Sequence, residues 1–185
     1  RHGLGGYQEK LGVTPDITTM AKAIANGYPC AVVAGRRDLM MQFNTAPGGK
    51  VFVGGTYNGH PVGSAAALAT IAALEDGAIY EHTFRLGERA RKGIQDIGDR
   101  LGIPMLVAGY GSVFTPYFIE GEVERYEDLL RNDNAKDVAF RAAMVDHGIF
   151  MLPLALKRNH VSAAHTDADI DRTLEVAETV LKGMR

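Results

Sequence analysis

The first half of the chain combines two short apolar runs with an alanine-rich segment. Residues 16–20 and 30–34 have the length and composition of short strands, and residues 36–43 predict a short helix. Residues 61–74 are rich in alanine and begin with proline, which is well tolerated in the first turn of a helix. The glycines at positions 3, 5, 6 and 12 indicate that residues 1–15 form a loop.

The second half shows longer helical periodicity. The polar positions of residues 79–101 lie opposite an apolar stripe, which predicts an amphipathic helix. Thr166 or Asp167 can cap the last helix. The other predicted elements are strands at 105–108, 112–119, 149–152 and 160–164, and helices at 134–147 and 167–184.

This order of elements predicts an α/β first part and a smaller α+β second part. We expect three divisions: residues 1–78 in a larger domain, residues 79–104 as a connecting long helix, and residues 105–185 as a small C-terminal domain.

Composition excludes few functions, but it argues against nucleic acid and anionic membranes as partners. The chain has 185 residues, of which 46% are hydrophobic and 23% are charged, and its formal net charge is -2. This charge balance gives no electrostatic case for nucleic acid or an anionic membrane. No apolar run reaches the length of about 20 residues that a membrane-spanning helix needs. The single cysteine, Cys30, fits a reducing compartment, so we expect a cytoplasmic protein.

Lys22 is the first candidate for chemistry. It stands among small and apolar residues after the first predicted strand, where we expect it to be partly desolvated, which would lower its pKa. A neutral amine attacks carbonyl groups and can bond to an aldehyde cofactor. The local pattern alone also fits a lysine at a strand end with its head in water.

A second candidate is the glycine-rich turn that runs into residues 61–74. It contains Gly55 and Thr56, and a glycine turn with a hydroxyl at a helix N-terminus can seat a phosphate. Many such turns bind nothing. No cluster of His, Cys and carboxylate residues has metal-ligand spacing, so we expect no metal.

Taken in order, these two motifs resemble the class III aminotransferases, which depend on pyridoxal phosphate (PLP) and include the glutamate-1-semialdehyde aminomutases. The resemblance runs from the start of the chain through both motifs to residues 161–167. It rests on the sequences Arg-His-Gly-Leu-Gly-Gly, Asp-Ile-Thr-Thr-Met-Ala-Lys, Gly-Thr-Tyr-Asn-Gly-His-Pro and Val-Ser-Ala-Ala-His-Thr-Asp.

The resemblance implies a fold and a set of roles. The chain would be the C-terminal part of the large domain of a fold type I PLP-dependent transferase, followed by the small domain. Lys22 matches the lysine that forms a Schiff base with PLP. Thr56, with Gly55, matches the phosphate-binding turn, which in the family reaches into the other subunit's site of a homodimer. Other family cofactor residues would precede Arg1, so this chain alone is expected to be inactive.

Arg158 is a candidate for substrate binding. In related enzymes the loop at residues 154–158 approaches the substrate, and a guanidinium there could pair with a substrate carboxylate. A solvated basic pair, Lys157 with Arg158, is the alternative. Aminomutases often have Ser-Gln-Phe-Glu where this chain has Leu-Ala-Leu-Lys, and this difference favours an aminotransferase.

The expected reaction is therefore transfer of an amino group from an amine or amino acid to a keto or aldehyde acceptor, through Lys22. A glutamate-1-semialdehyde-type 2,1-aminomutase is one alternative. A non-catalytic, truncated product that keeps the fold is the other.

Overall fold

A computed structural model describes residues 1–184, which divide into two compact units between Ala78 and Ile79. Within residues 1–184, no single helix is both long and apolar enough to cross a membrane. The helices Pro61–Leu74 and Ala78–Leu101 meet the criteria only when taken together, by length and composition.

The first unit is built on a two-stranded antiparallel sheet. Its strands pair in register from Ile17 with Gly35 to Ala21 with Ala31. Gly12 ends the first helix in the left-handed conformation that glycine adopts without strain. In chain order the elements are α1 (Gly6–Leu11), β1 (Ile17–Ala21), a 3₁₀ turn (Lys22–Ala25), β2 (Ala31–Gly35), α2 (Arg37–Met40) and α3 (Pro61–Leu74).

The second unit packs helices on a three-stranded antiparallel sheet of order β3-β4-β5. Thr166 caps its last helix in a capping box with Asp169, as a hydroxyl at this position favours. In chain order the elements are α4 (Ala78–Leu101), β3 (Leu106–Tyr110), β4 (Val113–Tyr117), a 3₁₀ helix (Tyr126–Arg131), α5 (Asn134–Asp146), β5 (Asn159–His160) and α6 (Asp167–Gly183).

The hydrophobic core of the described chain lies in the second unit. α4 contributes Leu86, Ala90, Ile94, Ile97 and Leu101, whose spacing places them on one helix face. α5, α6 and the sheet supply the opposing side chains, so α4 is part of this core.

Charged pairs fasten α6 to α4 on the outer surface. The Arg85 guanidinium donates to both carboxylate oxygens of Asp167, at 2.7 and 2.9 Å. Near the other end, Arg100 donates to Glu178 at 2.9 Å. Exposed pairs of this kind contribute little singly, but they fix which faces of the two helices meet.

The predicted α/β class is confirmed, and α3 begins and ends as expected. Three expectations were wrong. Residues 6–11 form a helix, residues 149–152 pair with no strand, and the strand expected at 160–164 is limited to Asn159–His160. Residues 149–152 have no strand partner, so their apolar composition did not predict a strand correctly. The domain boundaries at 78 and 104 stay a prediction for the whole protein.

Candidate functional site

Lys22 occupies an unusual backbone conformation. It follows β1 directly and opens the 3₁₀ turn with a φ of 58°, in the left-handed region that residues other than glycine enter at a cost of about 1–3 kcal/mol. Asn26 closes the same turn with a φ of 45°. A strained lysine at the predicted site is a structural sign of function, since the surrounding fold must enforce it.

The turn that carries Lys22 lies against α3. Ala25, in this turn, is completely buried, and Ala67 on α3 is buried as well. A Cβ added at Gly63 of α3 would lie 3.0 Å from the carbonyl oxygen of Pro29, which is closer than side chains ordinarily pack against backbone. The small residues of α3 therefore let the chain segment after Lys22 approach closely.

Gly55 and Thr56 lie in the turn that leads into α3. The N–H of Asn58 donates to the Gly55 carbonyl at 3.0 Å, and a Cβ at Gly55 would lie 2.8 Å from Asn58 Oδ1. Pro61 then occupies the first helical position. The Thr56 side chain is exposed and forms no hydrogen bond within residues 1–184.

α3 is thus the shared scaffold of the site: the Lys22 turn lies against its side, and the Thr56 turn leads into its N-terminus. The donors are an amine, a hydroxyl and the amide groups at the start of a 14-residue helix. A helix N-terminus with a nearby hydroxyl suits a phosphate, and an amine suits an aldehyde. A ligand with both an aldehyde and a phosphate would need both kinds of donor, whether they come from one copy of the chain or from two.

The expected desolvation of Lys22 is wrong for this chain by itself. Its side chain is exposed and has no ion-pair or hydrogen-bond partner within the described residues. The physical reason is that Arg1–Ala78 buries few residues: Ala25, Gly63 and Ala67. Large apolar side chains such as Phe52 and Leu68 are 81% and 69% exposed, so the unit supplies only one wall of a pocket.

Arg158 lies in the second unit, in the loop before β5. Its side chain and that of Lys157 are exposed, and residues 1–184 provide neither with an ion-pair partner. Leu156, two residues before Arg158, has a φ of 62°. Arg158 is therefore available to an anion.

Sequence reasoning missed the group that holds this loop. The Leu156 N–H donates to Asp137 Oδ2 at 2.7 Å, and Arg141 Nε donates to Asp137 Oδ1 at 2.5 Å. Asp137 and Arg141 share the buried face of α5 with Phe140 and Met144. The spacing of one acid and one base along an apolar helical stripe was the available signal. Among residues 1–184, no cluster of three or more His, Cys, Asp or Glu residues could hold a metal.

Comparison with known proteins places this arrangement in a family. The family model described as aminotransferase class-III matches residues 4–181. A glutamate-1-semialdehyde 2,1-aminomutase of Pyrobaculum islandicum is 38% identical over 178 residues, which are 96% of this chain and 42% of that protein. The chain belongs to the class III aminotransferase family. It spans about two-fifths of the length of the curated relatives it matches.

Solved structures share the fold. An ω-transaminase from Sphaerobacter thermophilus superposes with a TM-score of 0.84 at 28% identity, over 98% of this chain and 41% of that one. A structure described as a transaminase with PLP bound matches with a TM-score of 0.79 at 26% identity, over 98% of this chain and 42% of that one.

Proposed function

We propose that the whole protein is a PLP-dependent aminotransferase in which Lys22 bonds the cofactor. The observation that carries the proposal is the strained, unpaired amine of Lys22, held at a φ of 58° in a turn that lies against α3. The family match over residues 4–181 and the resemblance to a PLP-bound transaminase support it.

When bound, PLP supplies an electron sink that makes the substrate carbon acidic. Lys22 Nζ would hold the cofactor's aldehyde carbon in the resting protein. As a free amine, the same atom would take the proton from the amino-bearing carbon of the donor and deliver it to the cofactor, and in the second half-reaction it would carry a proton from the cofactor to the acceptor's carbonyl carbon. No imidazole is required, because the amine is already at the reacting atoms.

Thr56 Oγ1 and the neighbouring backbone N–H groups hold the phosphate, with Gly55 allowing the turn. In our proposal these groups belong to the site of a second copy, so the active protein is a homodimer. The remaining walls, which would desolvate Lys22, come from the rest of the protein and from that copy. The chain of residues 1–185 alone is then inactive, and its cytoplasmic location stays a prediction.

Arg158 binds a carboxylate of the substrate. It is exposed, always charged, and has no competing acid within the described residues. A planar guanidinium can hold a carboxylate through two hydrogen bonds, which fixes orientation as well as charge. Amino acids and keto acids are therefore the preferred substrates of this proposal.

An aminomutase is the second candidate, and the 38% identity to an aminomutase of Pyrobaculum islandicum favours it. Such an enzyme moves an amino group within one substrate and needs no external acceptor. Residues 154–157 read Leu-Ala-Leu-Lys where aminomutases often have Ser-Gln-Phe-Glu. The base Lys157 in place of an acid favours transfer between two molecules.

Dependence on an acceptor separates the two candidates. The whole protein with PLP is given alanine and a series of keto acids in one assay, and glutamate-1-semialdehyde alone in another. Sustained turnover of alanine only with a keto acid supports the aminotransferase. Complete conversion of the semialdehyde to its 5-amino isomer without any keto acid would establish the aminomutase instead. Failure of both reactions overturns the proposal.

A further inference from the structure

The loop that carries Arg158 is held from inside the second unit by one buried carboxylate. Asp137 and Arg141 side chains are both 0% exposed. One Asp137 oxygen accepts from Arg141 Nε, and the other accepts the backbone N–H of Leu156 at 2.7 Å. The carboxylate therefore joins helix α5 to a loop 19 residues further along the chain.

Arg141 leaves Asp137 little freedom to move. Its Nη1 and Nη2 atoms are buried and have no hydrogen-bond partner within residues 1–184. The guanidinium charge is thus balanced by Asp137 alone among the described groups. A buried cation with one counter-ion holds that carboxylate in place, because any displacement would leave the charge unpaired in a poorly solvated environment.

The hydrogen bond from Leu156 to Asp137 coincides with a strained backbone conformation in the loop. Leu156 has a φ of 62°, which a branched apolar residue adopts only when its surroundings compensate for the strain. Lys157 and Arg158 follow at once, and Asn159 then pairs with Phe114 of β4. Arg158 therefore lies in a short segment that is held at both ends, at Leu156 by the hydrogen bond to Asp137 and at Asn159 by pairing with β4.

We propose that Asp137, held by Arg141, is a positioning residue that aims Arg158 at the substrate carboxylate. The inference rests on the proposed function, since it takes Arg158 as the carboxylate-binding group. Asp137 itself touches no substrate; it acts through the Leu156 backbone. Its contribution should therefore be seen for substrates with a carboxylate and not for amines without one.

The matched pair of amino donors is alanine and isopropylamine, which differ by a carboxylate in place of a methyl group. The double variant Asp137→Leu/Arg141→Met removes the Leu156 bond without leaving a buried charge, so the protein is expected to fold. The whole protein with PLP is used, and steady-state turnover of each donor is measured with the same keto acid as acceptor. Asp146→Asn, an exposed carboxylate on the same helix, is the control.

We expect the double variant to raise KM for alanine about tenfold or more, with less than a twofold change for isopropylamine, since it loosens an orientation contact to a charged group. Arg158→Leu should show the same selectivity, and Asp146→Asn should match the wild type. In hydrogen exchange, the Leu156 amide should lose protection in the double variant only.

Equal losses for both amines, or unchanged KM for alanine together with an unprotected Leu156 amide, would overturn the inference while the proposed function stands. A wild-type protein that reacts with neither amine would overturn the proposed function, and this inference with it.

Discussion

Asp137 and Arg141 lie one helical turn apart on α5, with no exposed side-chain surface on either, and together they form a buried ion pair. Asp137→Ala would leave the guanidinium without its counter-ion. We expect it to lower the free energy of unfolding by about 3–5 kcal/mol. Asp137→Leu/Arg141→Met should instead be close to neutral. Urea unfolding of both variants measures these values, and a double variant destabilised as much as Asp137→Ala would contradict the pairing.

Gly87 of α4 lies against Gly111, in the turn between β3 and β4. A Cβ at Gly87 would overlap the carbonyl oxygen of Gly111, which is rigid backbone. We expect Gly87→Ala to cost about 1–3 kcal/mol of stability despite the better helix propensity of alanine. Gly93→Ala, on the same helix, would meet only the end of the flexible Leu174 side chain.

Thermal unfolding compares the two alanine variants directly. Gly93→Ala should lie within about 1 kcal/mol of the wild type, because Leu174 can move and the helix gains propensity. If both variants unfolded at the same temperature, the close approach of α4 to the β3–β4 turn would be wrong.

Glu178 of α6 gives the second unit a defined sensitivity to acid. Its hydrogen bond with Arg100, and to a smaller extent that with Lys182, lowers the pKa of its carboxyl group from 4.5 to about 2. A depressed pKa stabilises the fold fully above pH 4.5 and progressively less as the pH falls towards 2. Glu178→Gln should therefore flatten the fall in urea midpoint over this range.

The matched control is Glu175→Gln on the same helix, whose carboxylate lies 3.6 Å from Arg172. It should retain the wild-type decline between pH 4.5 and 2. A Glu178→Gln variant with an unchanged acid profile would show that the Arg100 and Lys182 contacts do not form in solution.

Much of this fold follows from the sequence. The helices α3, α4, α5 and α6 were predicted because each has either a proline start with strong propensity or a clear apolar stripe. The 3₁₀ turn at Lys22 was expected only as a turn. Its left-handed φ depends on close packing against α3, which no local pattern encodes.

Two features of the candidate site could not be predicted from the sequence, for a physical reason in each case. The hydrogen bond from Leu156 to Asp137 joins residues 19 apart, and composition does not specify such a contact. The exposure of Lys22 was also mispredicted, because most of its apolar neighbours in sequence, Ala25 excepted, are themselves exposed or half-buried in the first unit. Small neighbours along the chain do not make a buried site.

Thr56 should contribute to cofactor affinity through its hydroxyl. Thr56→Val keeps the shape and removes the donor to a charged phosphate, a loss of about 1.5–3 kcal/mol, or roughly 10–150-fold in Kd for PLP. Thr56→Ser keeps the hydroxyl and should stay near the wild type. Titration of the whole apoprotein with PLP measures this, and equal affinities for Thr56→Val and the wild type would remove Thr56 from the phosphate site.

The central claim is that the Lys22 amine bonds the cofactor aldehyde. The most direct measurement is borohydride reduction of the whole protein with PLP, followed by peptide mass mapping. We predict a pyridoxyl group on Lys22, its loss in Lys22→Gly with the fold retained, since glycine accepts a φ of 58° without strain, and its persistence in the control Lys50→Ala. A label on another lysine with Lys22 unmodified would contradict the account.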